Sequence, residues 1–252
     1  GDVVKIFFRG IGVCLGLIAI WHLIVQLFNL PTWILPAPKN VLHGFISNFP
    51  LILHEAKITA IETLLGLLIG VLLGSIAALL MASFRTLGLW ILPVLIISQA
   101  IPTFAIAPLL VIWFGYGITS KIAAAAIMIF FPITSSFYDG LRQTNQGWLD
   151  LAKSMNAKKW RYFWYIRIPA AMPSFASGLR VATVVAPIGA IIGEWVGASE
   201  GLGFLMLNAN ARMQIDLMFA GLICLMMFSL TLYFLIDKCL KLLVPWQQYN
   251  FH

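Results

Sequence analysis

The stretch WLDLAKSMNAKKWRYFWYIRIPAAMP, residues 148–173, is the longest polar and charged run in an otherwise oily chain. The 252 residues are 61% hydrophobic and 10% charged, with a mean hydropathy of +0.96. A soluble domain is about 45–50% apolar and about 25% charged. Lipid is therefore the expected solvent for most of the chain, and residues 148–173 become its one sizeable piece in water.

Working outward, charged residues and prolines divide the sequence. No charge falls between Arg9 and Lys39, and Ile11–Leu30 is long enough to cross a bilayer, which takes about 20 apolar residues. The run is too long for a signal-peptide core, and no A-x-A site follows it. Expected spans are approximately 10–30, 51–84, 87–114, 119–138, 173–196 and 215–244, with a short interfacial helix near Lys39–Asn48. Gly66, Gly70 and Gly74 place small residues along one face of the second span for close packing. The fold class is all-α integral membrane, six transmembrane helices in a single domain over 1–252, with a polar region at 139–172.

Six spans put both termini on one side. Of the 16 Lys and Arg residues, twelve fall on that side and only Lys39, Lys57, Lys121 and Arg212 on the other. By the positive-inside rule the termini and residues 139–172 are cytoplasmic. The same distribution accounts for the net charge of +7 without a nucleic-acid partner. Glu62 is expected at an interface or paired with Lys57, and Arg180 is expected to snorkel to the cytoplasmic face.

The catalytic signatures are missing. His54-Glu55 begins like H-E-x-x-H, but Ile58 stands where the second zinc ligand belongs. There is no G-x-S-x-G and no G-x-x-x-x-G-K-[ST]. Cys14, Cys224 and Cys239 lie in apolar runs without ligand spacing. The chain is therefore not expected to be an enzyme, to bind a metal or to carry a cofactor, and any energy source must be another chain.

Within residues 148–173, Asp150 can cap a short helix, Leu151–Met155. Asn156 suits a left-handed C-cap. A second helix is expected over 157–166, and Pro169 should hold Ile168 extended. On these physical grounds two readings stand side by side: an amphipathic segment held by lipid headgroups, or a docking elbow for a partner. Polar residues within the spans are candidates for a pathway: Ser98, Gln99 and Thr103 in the third, Thr134, Ser135 and Ser136 in the fourth, and Glu194 in the fifth. Interhelical hydrogen bonding is the alternative. Pro102, and Pro187 with Gly189, are candidate kinks or gates.

Asp150-Leu151-Ala152, three residues, Asn156, then Ile166-Arg167-Ile168-Pro169 resembles the EAA loop of permease subunits of type I bacterial ABC importers. Asp150 stands for the usual Glu and Asn156 for the usual Gly. The likeness runs from Leu35–Pro38 to the last helix. Gly193-Glu194-Trp195 and Gly201-Leu202-Gly203 are similar to the branch that imports nitrate, sulfonates, taurine and thiamine precursors. Ser98–Gly117 and Gly193–Leu217 look closest to permeases for pyrimidine precursors of thiamine.

The resemblance implies a homodimeric pore in the bacterial inner membrane, multi-pass. Two cytoplasmic ATPases carrying ATP and Mg would dock at Asp150, Leu151, Ala152, Ser154, Asn156 and Ala157. An extracytoplasmic solute-binding protein would deliver the substrate. The competing class, a self-sufficient channel or ion-coupled secondary transporter, calls for paired intramembrane charges or inverted repeats, and the sequence displays neither.

Overall fold

The computed structural model describes residues 1–144 and 146–246. Among them every regular element is helical. α1 spans Asp2–Leu27, α2 Pro38–Ser47 and α3 Phe49–Ser83; α4 spans Arg85–Ala100, α5 Thr103–Phe114 and α6 Ile118–Arg142. α7 spans Gln146–Ser154 and α8 Lys159–Tyr162, and a π-helical turn, Phe163–Arg167, leads into α9, Ile168–Gly197. α10 covers Leu202–Ala211 and α11 covers Ile215–Leu243. α1, α3, α6, α11 and the stretch Lys159–Gly197 are each long and apolar enough to cross a bilayer. α2 fills the place of the expected interfacial helix.

The third span is not one helix. α4 and α5 meet at a bend of 100°. Pro102 has no N–H to continue the helix, and it biases the residue before it toward extended backbone. Ile101 has φ −83° and ψ 118°, and Pro102 becomes the N-cap of α5. Pro93 and Pro108, by contrast, lie inside helices that continue through them.

α6 is the central helix, packed between α3 and α9. Its buried face is Ala124, Ala125, Ala126, Ile129 and Ile133. A Cβ on Gly66 of α3 would sit 2.5 Å from the Ala125 Cβ, and one on Gly74 would sit 2.8 Å from the Ile133 side chain. From the other side, a Cβ on Gly189 of α9 would lie 2.8 Å from the Ala125 backbone. The glycine face read from the sequence is thus one half of a two-sided grip. In lipid, where apolar burial drives little association, such backbone approach supplies the packing energy. A second core joins Val41, Ile52, Ile191, Leu202, Leu205 and Met206 with Leu217 and Ala220 of α11. The outside is inverted relative to a soluble protein, with Leu68, Leu72, Leu73 and Ile76 of α3 exposed. α1 stands off, held near its end by Trp21, whose Nε1 donates to Pro36 O at 2.9 Å and whose ring stacks on Phe219.

Three local expectations are corrected. α7 begins at Gln146, so Asp150 lies inside the helix and not at its N-cap. The expected helix over 157–166 is the single turn of α8 plus the π-helical turn. Ile168 is helical, φ −63° and ψ −52°, because the chain resolves Pro169 differently. The Ile168 N–H reaches back five residues to Phe163 O, so Pro169 falls in the first turn of α9, where no N–H is required. The fifth span therefore starts before Pro173 and runs through both Pro173 and Pro187.

Overpacking a close helix contact costs about 1–3 kcal/mol. Gly66→Leu should accordingly lower the thermal unfolding midpoint of the detergent-solubilised protein. Gly16→Leu, at a position with nothing within 4 Å, should leave it unchanged.

Candidate functional site

Three polar places stand out on this scaffold. The first is the elbow of α7, α8 and the π-helical turn. α7 closes in a complete Schellman motif: Ala157 N–H donates to Ala152 O at 2.9 Å and Asn156 N–H to Lys153 O at 3.1 Å. Asn156 has φ 54°, the left-handed conformation that asparagine tolerates better than other non-glycine residues. Asp150, Leu151, Ser154, Asn156 and Ala157 are exposed, while Ala152 is buried and packs inward. The Ser154 hydroxyl donates to Leu151 O at 2.8 Å.

The elbow is tied to the bundle by Arg167. Its Nε and one terminal nitrogen both donate to Leu141 O, at 3.1 and 2.9 Å, and its guanidinium stacks 5.3 Å from the Phe163 ring centre. Leu141 O belongs to the last turn of α6, where carbonyls have no helical partner and a cation is favourable. At the same end the Trp246 Nε1 donates to Pro169 O at 3.1 Å. Arg180 does not snorkel: it pairs at 2.7 Å with Asp237 of α11, which also meets Lys241 at 3.1 Å.

The second place is a cavity of about 530 Å³ at the α4–α5 bend. Ser98, Gln99, Pro102 and Thr103 line one side, Ser135 and Ser136 of α6 another, with Phe131, Met128, Val181 and Val185 completing it. No charged side chain lines it. The Ser98 hydroxyl donates to Leu95 O at 2.6 Å, serving a helix about to end. Thr134 lies outside this cavity, fully buried and donating to Phe130 O at 2.8 Å. Pro187 and Gly189 are also buried away from it, in the packing of α9.

The third place was not anticipated, and it is where Glu194 lies. At the opposite end from the elbow, Glu55, Thr59, Glu62, Thr63, Ser120, Lys121 and Glu194 are all buried. The turn before α10 delivers three successive N–H groups into them. Gly201 N–H donates to Glu55 Oε2, Leu202 N–H to Thr59 Oγ1 at 2.8 Å, and Gly203 N–H to Glu194 Oε2 at 2.7 Å. Thr59 in turn donates to Glu194 Oε1 at 2.7 Å. These are the donors a helix N-terminus leaves unpaired, met by acceptors from α3 and α9. Gly201 has φ +108°, and a Cβ there would overlap the Glu194 carboxylate. Lys121 donates to Tyr116 O and Ser120 Oγ, both at 2.9 Å, and to Gly197 O.

Buried ionisable side chains therefore do gather at one place, which the sequence did not lead one to expect, and Glu62 faces Glu194 instead of pairing with Lys57. The signal was present but scattered. Glu55, Thr59 and Glu62 share one face at helical spacing, whereas Lys121, Glu194 and Gly201–Gly203 join them only through the tertiary fold.

An all-helical bundle with apolar spans, a proline-broken helix beside a polar cavity and an amphipathic elbow defines a membrane-embedded transport subunit. Residues 70–248 match the family described as binding-protein-dependent transport system inner membrane component, and the chain belongs to that family. A probable ABC transporter permease protein of Haemophilus influenzae is 53% identical over 221 residues, covering 88% of this chain and 90% of that one. The formylaminopyrimidine transport permease protein of Halalkalibacterium halodurans is 35% identical over 236 residues, covering 93% and 94%. Among solved structures, the MetNI methionine ABC transporter in an inward-facing conformation aligns at a TM-score of 0.66 with 16% identity, covering 77% of this chain and 97% of that one. The chain is thus an ABC importer permease subunit, multi-pass in the membrane and not an enzyme. In such systems ATP is hydrolysed by a partner subunit.

A β-branched residue in the left-handed region costs at least about 1 kcal/mol. Asn156→Val should therefore destabilise the α7 terminus and lower ATP-dependent uptake in reconstituted vesicles, and Asn156→Gly should retain it.

Proposed function

We propose that two copies of this chain form the membrane pathway of an ATP-driven importer for a small uncharged heterocycle, with a pyrimidine precursor of thiamine as the best fit. The elbow is read as the docking site for a cytoplasmic ATPase carrying ATP and Mg, with Asp150, Leu151, Ser154, Asn156 and Ala157 presented to it and Ala152 supporting them from behind. An extracytoplasmic solute-binding protein delivers substrate at the α10 end. Both termini are then cytoplasmic, in line with the twelve-to-four division of basic residues.

The observation that carries this reading is the Arg167 fork on Leu141 O. It links the π-helical turn at the end of the elbow to α6, the helix that α3 and α9 grip. A push on the elbow is then transmitted to the core of the bundle and not absorbed in a loop.

The uncharged lining of the α4–α5 cavity favours a neutral solute over a sulfonate, taurine or nitrate. Moving an anion past side chains with no positive partner incurs its desolvation cost. Ser98, Gln99, Thr103, Ser135 and Ser136 supply hydrogen bonds, and Phe131 and Met128 supply apolar contact. Pro102 sets the bend and is the candidate hinge of this pathway.

The competing reading is a self-sufficient channel or ion-coupled transporter, and the buried carboxylates are the observation in its favour. Glu55 and Glu194 are engaged with the backbone of the 201–203 turn, apart from the cavity. Reconstitution with and without the ATPase decides between the two, since uptake without it would remove the importer reading. In the full complex, Arg167→Ala should leave assembly intact and lower coupled uptake at least about tenfold, as expected for losing a bidentate charged contact worth about 1.5–3 kcal/mol. Gln99→Leu should weaken uptake of the neutral pyrimidine while ATP hydrolysis continues.

A further inference from the structure

The polar cluster at the α10 end contains a proton that its hydrogen bonds require. Glu194 is the better supplied carboxylate: Oε1 accepts from the Thr59 hydroxyl and Oε2 from Gly203 N–H, each at 2.7 Å. Glu55 accepts Gly201 N–H and lies beside the exposed His54, 4.0 Å away. Lys121 has three ammonium protons, and all three point at Tyr116 O, Ser120 Oγ and Gly197 O. None is left for a carboxylate.

Glu62 stands apart. It is 1% exposed, and its Oε1 is enclosed with no hydrogen-bond partner. Its carboxyl contacts the Glu194 carboxyl at hydrogen-bonding range. The charged groups facing the pair are Lys121 from α6 and Glu200 from the turn, with Glu55 two helical turns away on α3. Two ionised carboxylates in contact in a sealed site would repel, and Glu62 would lack any donor to offset its lost hydration. A single proton removes both problems.

We propose that Glu62 is a neutral carboxylic acid that donates a hydrogen bond to the Glu194 carboxylate, making it a positioning residue for the Gly201–Leu202–Gly203 turn. The proton orients Glu194 so that both of its oxygens meet their donors, and Glu194 with Thr59 then receives the first N–H groups of α10. One positive Lys121 offsets one negative Glu194, and Glu62 contributes no charge. Because the pair is enclosed, this proton exchanges with solvent only when the turn lifts from α3. The clasp therefore governs how readily α10 leaves the bundle at the end opposite the elbow.

The test uses the intact permease–ATPase complex in nanodiscs. At pH 8 the infrared spectrum should contain the carbonyl stretch of a protonated carboxylic acid that Glu62→Gln removes and Glu55→Gln does not. Hydrogen exchange supplies the second readout. Glu62→Gln, whose amide can still donate to Glu194, should keep the protection of the 201–203 amides. Glu62→Met, similar in length but with no donor, should speed their exchange about tenfold or more, as expected for loss of a hydrogen bond to a charged group. Absence of the carboxylic acid band at pH 8, or its survival in Glu62→Gln, overturns the proposal. So does Glu62→Met protection equal to that of the parent, which would reduce Glu62 to a space-filling role. Neither readout depends on transport, so the clasp can fail while the importer reading stands, and the reverse.

Discussion

The bundle depends on how closely α3 and α9 approach α6. In a bilayer, burying leucine against leucine gains little, because lipid tails are equally apolar. What remains is backbone proximity, and this chain obtains it with glycine and alanine on both sides of a single helix. Gly66 and Gly74 meet α6 from α3, and Gly189 meets the Ala125 backbone from α9. The large apolar residues are displaced outward, and Leu68, Leu72 and Leu73 face the surroundings one turn away from the glycines they accompany. The result is a three-helix unit with little freedom to slide.

Everything less regular is attached to that unit by polar contacts whose geometry water would otherwise satisfy. The α4–α5 bend frees backbone groups, and the Ser98 hydroxyl turns back to one of them. The π-helical turn accommodates Pro169 without losing the Ile168 hydrogen bond. The start of α10 would be costly inside a membrane protein with its N–H groups unpaired, and Glu55, Thr59 and Glu194 receive them. The first two are answered within their own segment, and the start of α10 is answered by side chains of α3 and α9.

Much of this could be read in the residues. Composition and charge spacing gave the helical membrane class and the approximate spans, because a span must be apolar throughout and its ends need not be. Asn156 was legible for a similar reason: few residues tolerate the left-handed region, so its place after a short helix is informative, and its φ is 54°. Asp150 was misread because capping propensity is local and several residues in one stretch can cap, whereas α7 already begins at Gln146. The 100° bend was hidden since prolines occur inside membrane helices too. Pro93 and Pro108 are carried within their helices and Pro102 is not, a difference made by tertiary packing. The polar cluster was the least legible part. Lys121 reads as a basic residue at the outer end of the fourth span, and Glu62 as an interfacial acid or a partner of Lys57, until α6, α9 and the 201–203 turn bring them to one point.

The two polar ends of the bundle impose opposite demands. At the elbow, Asp150 and Leu151 on α7 and Asn156 just after it are exposed, and Arg167 ties the π-helical turn beyond them to α6. At the α10 end, Glu62 and Glu194 are sealed, so that contact is stable yet reversible only by moving a helix. Both are fastened to the same α3–α6–α9 unit, the first at the C-terminus of α6 and the second beside its N-terminus through Lys121. The uncharged cavity lies between the α4–α5 bend and this unit, whose α6 and α9 supply one wall, and α4 itself makes few contacts with α6. α5, by contrast, packs on both α6 and α9, so of the two halves of the broken span α4 is the less tightly held to the three-helix unit.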